Sequence, residues 1–303
     1  MTFALMFSGQ GTQHPAMLPW LADDARVAEV RTRLGVDDWR AHLADPVWAA
    51  NNTRAQTLLT GLGLAAWGQL APLAPQPAVV AGYSVGELAA FSVAGVYDSA
   101  TATSLAPLRA EAMDSSASRV VGGLLAVSGL AEPALERLRE ETGLALAIRN
   151  GIESVVLGGP EVALVLAQRR AEDHGAQCTR LRINVASHTP WMRDAAERFS
   201  QSLSEVPFQS PRIALFSNAT GDRLRDASAA RTALAAQIAQ TVRWDECMEN
   251  IAARQVRCVL EVGPGQALTR MWNHRYPDIP ARACDDFRSA AAIASWLRAH
   301  EDD

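Results

Sequence analysis

The sequence has few cysteines and no clustered metal ligands. Its four cysteines, Cys178, Cys247, Cys258 and Cys284, show no C-x-x-C spacing, and its six histidines form no i,i+4 pair around an acid. Zinc sites and disulfide frameworks depend on such spacings. The sequence therefore predicts no metal site, and we expect reduced structural thiols.

Clusters of positive charge and long apolar runs are also absent. The formal net charge is −5, which argues against nucleic acid or an anionic membrane as the main partner. No apolar run approaches membrane-spanning length, and the first seven residues lack the basic start of a secretion signal. We therefore expect a cytoplasmic protein that begins with a buried strand.

The composition that remains is that of a globular protein. Hydrophobic residues make up 49% of the 303 residues and charged residues 20%, a balance that supports a folded core. The length exceeds that of most single domains. We predict one large unit with a smaller one inserted into it.

Alternating strand and helix patterns predict an α/β fold. In the middle of the chain they follow the order βαββαβ, with strands over 121–127, 144–149, 155–157 and 178–183 and helices over 132–141 and 162–174. This order is typical of a ferredoxin-like unit. We predict a large unit of residues 1–118 and 185–303, with strands over 78–81, 213–216 and 258–262, and a ferredoxin-like subdomain of residues 119–184. The cleft between them is the expected site.

A serine lies between one of these strands and the following helix. The segment Gly82-Tyr83-Ser84-Val85-Gly86 follows the apolar run 78–81 and precedes a helix-like stretch. Flanking glycines allow a sharp strand-to-helix turn, and free N–H groups at the helix start favour developing negative charge. Ser84 is therefore a candidate nucleophile. The alternative is a glycine-rich turn with a capping serine.

To act as a nucleophile, a serine hydroxyl needs a base within hydrogen-bonding distance, and histidine can act as that base near neutral pH. His188 lies where the large unit resumes after the last subdomain strand, whereas the other five histidines lie beside the first glycine loop or among charged residues. We take His188 as the candidate base. The alternative is a histidine at a helix start that binds the backbone.

A charged acyl group would need a fixed cation, and arginine binds a carboxylate through two parallel hydrogen bonds. Arg109 is the candidate, and Arg149 and Arg119 are weaker rivals. Spacing alone favours a surface arginine paired with Glu111 or Asp114.

Four separated segments together resemble a known family, the malonyl-CoA:acyl-carrier-protein transacylases and the acyltransferase domains of polyketide synthases. The resemblance covers nearly the whole chain and implies an α/β-hydrolase-like core with a ferredoxin-like insertion. The segments are Phe7-Ser8-Gly9-Gln10-Gly11, Gly82-Tyr83-Ser84-Val85-Gly86-Glu87, Val185-Ala186-Ser187-His188 and Glu261-Val262-Gly263-Pro264-Gly265.

The resemblance implies a role for each of six residues. They are Ser84 as the acylated serine, His188 as general base and acid, Arg109 as partner of the malonyl carboxylate, Gln10 and Val85 as the backbone donors of the oxyanion hole, and Gln237 as a glutamine near the histidine. The family orients its histidine by a backbone carbonyl, so no third acid is expected. No tightly bound cofactor is implied, because malonyl-CoA and the phosphopantetheine-type thiol of an acyl carrier protein are the substrates.

Departures from the family pattern indicate a branch. Ser8 and Tyr83 replace a proline and a histidine that are usual in the family. With Ala-Ser-His-Thr-Pro-Trp and Arg-Trp-Asp-Glu-Cys-Met, beginning at residues 186 and 243, the chain resembles the malonyl-transferase (epsilon) subunit of bacterial malonate decarboxylase. That branch charges the phosphoribosyl-dephospho-CoA thiol of a small carrier subunit. The alternatives are a fatty-acid or polyketide transacylase, with methylmalonyl as a possible acyl group, a thioesterase, or a non-catalytic docking subunit.

Overall fold

The computed structural model describes residues 3–117 and 121–300 and shows a mixed α/β fold with two sheets. The predicted α/β class is confirmed. The strands are β1 (Phe3–Phe7), β2 (Val79–Gly82), β3 (Gly122–Ser128), β4 (Ala145–Gly151), β5 (Ser154–Pro160), β6 (Gln177–Arg180), β7 (Ala214–Phe216), β8 (Arg223–Leu224), β9 (Val242–Arg243), β10 (Cys258–Val262) and β11 (Ala281–Ala283). The helices are α1 (Ala25–Leu34), α2 (Trp39–His42), α3 (Pro46–Ala50), α4 (Asn52–Leu70), α5 (Gly86–Val93), α6 (Ser99–Ala117), α7 (Glu132–Thr142), α8 (Glu161–Asp173), α9 (Arg193–Ser204), α10 (Ala227–Ala236), α11 (Trp244–Ala252), α12 (Ala267–Arg275) and α13 (Ala290–Ala299).

The larger sheet has the strand order β11-β10-β1-β2-β7-β8, and its pairs are parallel except β7 with β8. Every residue of β1 and β2 is buried, as expected for parallel strands with both faces covered. Phe3, Leu5 and Phe7 pack into one apolar cluster, and Ala4 and Met6 into another on the opposite face. The uninterrupted apolar strands follow from this two-sided burial.

One edge of the larger sheet collects the loops that carry polar side chains. Because β1, β2, β7 and β10 are parallel, the segments that follow them begin at the same edge. Such carboxyl edges are where open α/β sheets bind ligands. The loops starting at Ser8, Tyr83, Ser217 and Gly263 are therefore brought together.

The smaller sheet has the strand order β6-β3-β5-β4-β9. Its first four strands are antiparallel, and they follow the chain order β3-α7-β4-β5-α8-β6. Helices α7 and α8 cover one face with a separate apolar cluster. The fifth strand, β9, pairs in parallel with β4, with Ile148 opposite Val242 and Arg149 opposite Arg243.

The predicted elements lie where the sequence placed them, with shifted ends. The strand predicted over 178–183 ends at Arg180, and β8, β9, α12, β11 and α13 were not predicted. None of the described helices combines the length and the apolar character needed to cross a lipid bilayer.

Candidate active site

Ser84 lies on a sharp turn between β2 and α5. Its φ is 54°, in the left-handed region that costs a non-glycine residue about 1–3 kcal/mol. A Cβ at Gly82 would lie 2.1 Å from the carbonyl carbon of Gly86, and one at Gly86 would lie 2.4 Å from the carbonyl oxygen of Phe7. The two glycines are therefore needed for the turn to close against the end of β1.

The structure places Ser84 next to His188. Ser84 Oγ lies 2.8 Å from His188 Nε2, and His188 Nδ1 lies 2.6 Å from the backbone oxygen of Gln237. A carbonyl oxygen can only accept, so Nδ1 carries the hydrogen and the Nε2 lone pair faces the serine hydroxyl. A neutral imidazole in this tautomer can take the hydroxyl proton.

The remaining five histidines have other surroundings. His14 contacts Asp285 at 3.0 Å. His174 and His300 each donate a hydrogen bond of 2.8 Å to a backbone carbonyl of the helix that precedes them. The other two lie at the end of α2 and near the end of α12. Within the described residues, His188 is the histidine that bonds to the candidate serine.

Burial keeps His188 neutral. Loss of solvent and the nearby positive charge of Arg109 lower the pKa of His188 to about 3, although the hydrogen bond to Gln237 opposes this shift. The imidazole is therefore unprotonated near pH 7, the state that a general base requires.

Arg109 is buried on α6 with 1% of its surface exposed, so the expectation of a surface arginine paired with Glu111 or Asp114 is wrong. Its guanidinium donates to Gln56 Oε1 at 2.7 Å and to Gln237 Oε1 at 3.2 Å. Burial lowers the pKa of Arg109 to about 10, opposed by the negative charge of Glu87. The side chain therefore stays cationic at neutral pH.

This buried cation has neutral hydrogen-bond partners. Among residues 3–117 and 121–300, no carboxylate forms an ion pair with Arg109. Of its two rivals, Arg149 pairs with Glu132 at 3.4 Å, and Arg119 lies outside the described residues. A buried cation whose hydrogen-bond partners are neutral favours an anionic ligand.

Gln237 connects these groups. Besides its bond to His188, its side chain accepts from Arg109 and donates through Nε2 to the backbone oxygen of Ser84 at 3.2 Å. Gln237 is fully buried. Ser84, His188, Arg109 and Gln237 therefore form one hydrogen-bonded cluster.

Gln10 and Val85 lie on the two segments that flank the serine. Val85 directly precedes α5, and the loop with Gln10 packs on the turn, since a Cβ at Gly9 would lie 2.8 Å from Cδ1 of Tyr83. Among the described residues, neither the Gln10 nor the Val85 amide donates a hydrogen bond. Two free N–H groups are the donor set that an oxyanion hole needs.

The model of the acyl transferase domain family matches residues 4–303 of this chain. The chain belongs to that family. It is an acyltransferase, and it is 30% identical over 307 residues to the malonyl CoA-acyl carrier protein transacylase of Salmonella typhimurium, covering 97% of this chain and 98% of the relative.

Two solved structures resemble this acyltransferase over nearly its whole length. The acyl-carrier-protein S-malonyltransferase of Burkholderia pseudomallei superposes with a TM-score of 0.87 at 28% identity, covering 97% of this chain and 100% of that one. A malonyl-transacylase in complex with a type II polyketide synthase acyl-carrier protein superposes with a TM-score of 0.89 at 28% sequence identity. The match covers 97% of this chain and 99% of that one.

Sequence reasoning missed Asn218 in this acyltransferase. Asn218 Oδ1 accepts from the Ser84 amide at 2.7 Å, and Nδ2 donates to the Gly82 carbonyl at 2.7 Å. Its own amide donates to Glu87 Oε1 at 2.6 Å. The available signal was its place two residues after a predicted strand, because residues at that edge of a parallel sheet meet.

Glu261 is a second polar residue whose place sequence reasoning did not explain. This buried carboxylate at the end of β10 accepts from Ser8 Oγ at 2.9 Å and from the amide and hydroxyl of Thr269 at 2.8 and 2.7 Å. Burial raises the pKa of Glu261, and these hydrogen bonds oppose the shift. Glu261 thereby joins the loop with Gln10 to the start of α12.

Within the described ranges, no group of three or more His, Cys, Asp or Glu residues is arranged to hold a metal ion. The four cysteines are unpaired with one another.

Proposed function

We propose that this acyltransferase moves a malonyl group from malonyl-CoA to the thiol of an acyl carrier protein through a malonyl ester on Ser84. The observation that carries the proposal is the contact of Ser84 with a neutral, oriented His188, linked through Gln237 to the buried Arg109. The names of the relatives, and the complex of one with a carrier protein, support the substrate pair.

In the first half-reaction, Ser84 Oγ attacks the thioester carbon of malonyl-CoA while His188 Nε2 takes the hydroxyl proton. The amides of Gln10 and Val85 stabilise the negative oxygen of the tetrahedral intermediate. The carbon–sulfur bond then breaks, and His188 returns the proton to the CoA sulfur. Malonyl-serine and free CoA result.

The second half-reaction runs the same steps with the carrier thiol as nucleophile. His188 takes the thiol proton, the thiol sulfur attacks the malonyl ester, and the proton returns to Ser84 Oγ. Arg109 binds the malonyl carboxylate through two hydrogen bonds in both halves. The carrier's phosphopantetheine-type thiol is a substrate, so the reaction needs no tightly bound cofactor.

We further propose the malonate decarboxylase branch. The support is the sequence around Tyr83, His188 and Trp244 that resembles the epsilon subunit. The acceptor would then be the phosphoribosyl-dephospho-CoA thiol of the decarboxylase carrier subunit. Because malonyl-CoA and such carriers occur in the cytoplasm, the proposal includes a cytoplasmic location, with neither nucleic acid nor membrane as a partner.

The proposal also covers the fold and its units. We propose an α/β-hydrolase-like core of residues 1–118 and 185–303 with a ferredoxin-like subdomain of residues 119–184. The parallel sheet with its serine turn supports the first, and the strand order β6-β3-β5-β4 supports the second.

Transfer to a fatty-acid or polyketide carrier is the second candidate. The names of the relatives favour it, since they are malonyl transacylases and one is bound to a polyketide carrier.

The first experiment is intact-protein mass spectrometry after incubation with malonyl-CoA. We expect the mass of one malonyl group on the wild-type chain, located at Ser84 by peptide mapping, and none on Ser84→Ala. An unmodified wild-type chain that releases no malonate contradicts the proposal and favours a docking subunit. Rapid release of free malonate without a carrier favours a thioesterase.

The second experiment separates the carriers. The malonyl-enzyme is offered the malonate decarboxylase carrier and a fatty-acid carrier at equal concentrations, and both products are quantified. We expect preferential transfer to the decarboxylase carrier. Preference for the fatty-acid carrier overturns the branch and leaves malonyl transfer intact.

A further inference from the structure

Asn218 binds the serine turn from a neighbouring strand. It is fully buried, and its carboxamide bonds on both sides of residue 83, accepting from the Ser84 amide and donating to the Gly82 carbonyl. Each of the two bonds is 2.7 Å long. No residue of the turn itself makes both contacts.

Asn218 is itself fixed by groups outside the turn. Its amide donates to Glu87 Oε1, and its carbonyl accepts from the Arg243 amide at 2.9 Å. The side chain therefore acts as a support for the turn, since α5 and β9 hold its backbone in place.

We propose that Asn218 is a positioning residue that holds the peptides around Ser84 in the left-handed conformation that directs Oγ at His188. The inference rests on the proposal that Ser84 is the nucleophile. A residue with φ of 54° has lower-energy alternatives. Two short bonds to a fixed side chain disfavour those alternatives before substrate binds.

The geometry demands one acceptor and one donor from the same side chain. A carboxamide meets this demand, and so does a protonated carboxyl group, but a carboxylate only accepts. An ionised group at position 218 would keep the contact to the Ser84 amide and repel the Gly82 carbonyl. Protonation would restore both contacts.

The test is the rate of Ser84 malonylation in Asn218→Asp across pH, by rapid quench and intact-protein mass spectrometry. Burial raises the pKa of the introduced carboxyl. Burial also raises the pKa of the neighbouring Glu87 to about 8, so every rate is compared with wild type at the same pH. We expect malonylation about tenfold or more slower than wild type at pH 8 and within about threefold of it at pH 5.5. Loss of a structural contact alone gives a ratio that does not depend on pH.

Two variants serve as controls. Asn273 makes the same pair of bonds to the backbone of Ala281, at 2.9 and 3.0 Å, away from the site. Asn273 is exposed, so Asn273→Asp makes the same substitution in a solvated place away from the site, and its ratio to wild type should stay near one at both pH values. Asn218→Ala introduces no titrating group and should be slow by the same factor at each pH.

The outcomes separate this inference from the proposed function. An unlabelled wild-type Ser84 contradicts the proposed function. With wild type labelled, a constant ratio in a folded Asn218→Asp overturns the inference, as does a wild-type rate in Asn218→Ala. Thermal melts at each pH show whether Asn218→Asp is folded, and if it is not, Asn218→Ala decides.

Discussion

At the scale of single residues, backbone conformation brings the two central side chains together. Ser84 and His188 both have positive φ, 54° and 63°. Each is held by a bond from another segment, the Ser84 amide by Asn218 and the His188 amide by the carbonyl of Ile238 at 2.8 Å. If Ser84 and His188 react as proposed, their atoms are therefore positioned before substrate arrives, which reduces the ordering cost of the reaction.

We predict that Arg109→Ala lowers malonyl transfer far more than acetyl transfer. Loss of a buried two-point contact with a carboxylate costs about 2–5 kcal/mol, or about 30-fold or more in kcat/KM. The acetyl group has no carboxylate to lose. Steady-state rates with malonyl-CoA and acetyl-CoA measure the split, and Arg139→Ala, which removes an arginine paired with Glu136 on α7, is the control. Equal losses for both acyl groups would count against this role.

The lowered pKa of His188 predicts the pH dependence. Between pH 7 and pH 5 the neutral fraction of an ordinary imidazole falls about 25-fold, whereas a pKa of about 3 leaves His188 neutral throughout. We expect single-turnover malonylation to change by less than about threefold over this range. A rate that falls with an apparent pKa near the ordinary histidine value would contradict the assignment.

The same shift has a consequence for stability. Below the unfolded-state pKa of 6.5 the unfolded chain binds a proton at residue 188 that the native chain does not bind until about pH 3. The free energy of unfolding therefore falls as pH drops through this window. Urea melts of wild type and His188→Gln measure the difference, which should shrink below pH 6.5.

At the scale of elements, local pattern predicted the strand, turn and helix around Ser84, because the glycines and the apolar run are contiguous. It could not predict Asn218, whose contact with the turn depends on β7 pairing with β2. Spacing alone favoured a surface position for Arg109, because spacing within α6 does not show that α4, α5 and α9 pack against it. The two-residue strands β8 and β9 are too short for a periodic signal.

Tyr83 joins the serine turn to the smaller sheet. Its hydroxyl donates to Asn150 Oδ1 at 3.0 Å, and burial raises the pKa of Tyr83 above its usual value. We predict that Tyr83→Phe lowers the free energy of unfolding by about 1 kcal/mol. Malonylation should stay within about twofold of wild type, because so weakly acidic a phenol gives up no proton near neutral pH.

Urea melts and malonylation rates check this prediction. Tyr97→Phe is the matched control, because Tyr97 is buried and donates to the Leu88 carbonyl at 3.2 Å. It shows the cost of losing a buried tyrosine bond within the larger unit. A large loss of malonylation in Tyr83→Phe alone would show that its hydroxyl takes part in the reaction.

At the scale of the whole molecule, the site assembles from distant parts of the sequence. Gln10, Ser84, Arg109, His188 and Gln237 come from five separate segments. Their convergence followed from the family resemblance and not from any local pattern, because contact between segments is a property of sheet order and packing. Under the proposed function, the carrier would dock on a surface that spacing in the sequence does not locate.

The four thiols report on the integrity of the whole fold. Burial raises the pKa of all four thiols, but Cys247, Cys258 and Cys284 are buried, whereas Cys178 is half-buried. We predict that an aromatic disulfide reagent labels Cys178 in the native protein and all four thiols in denaturant, since the thiolate is the reactive form. Labelling of more than one thiol at the same rate in native buffer would contradict the burial.

The pairing of β9 with β4 limits how this enzyme can be recombined with its homologues. A hybrid that exchanges residues 119–184 as a cassette would leave behind the strand that borders β4, because Val242 and Arg243 are encoded far downstream. The β4 strand of the incoming sheet would then pair with a β9 strand whose sequence and register belong to the original β4. Crossover sites that transfer residues 242–243 together with residues 119–184 would preserve the pairing of β9 with β4.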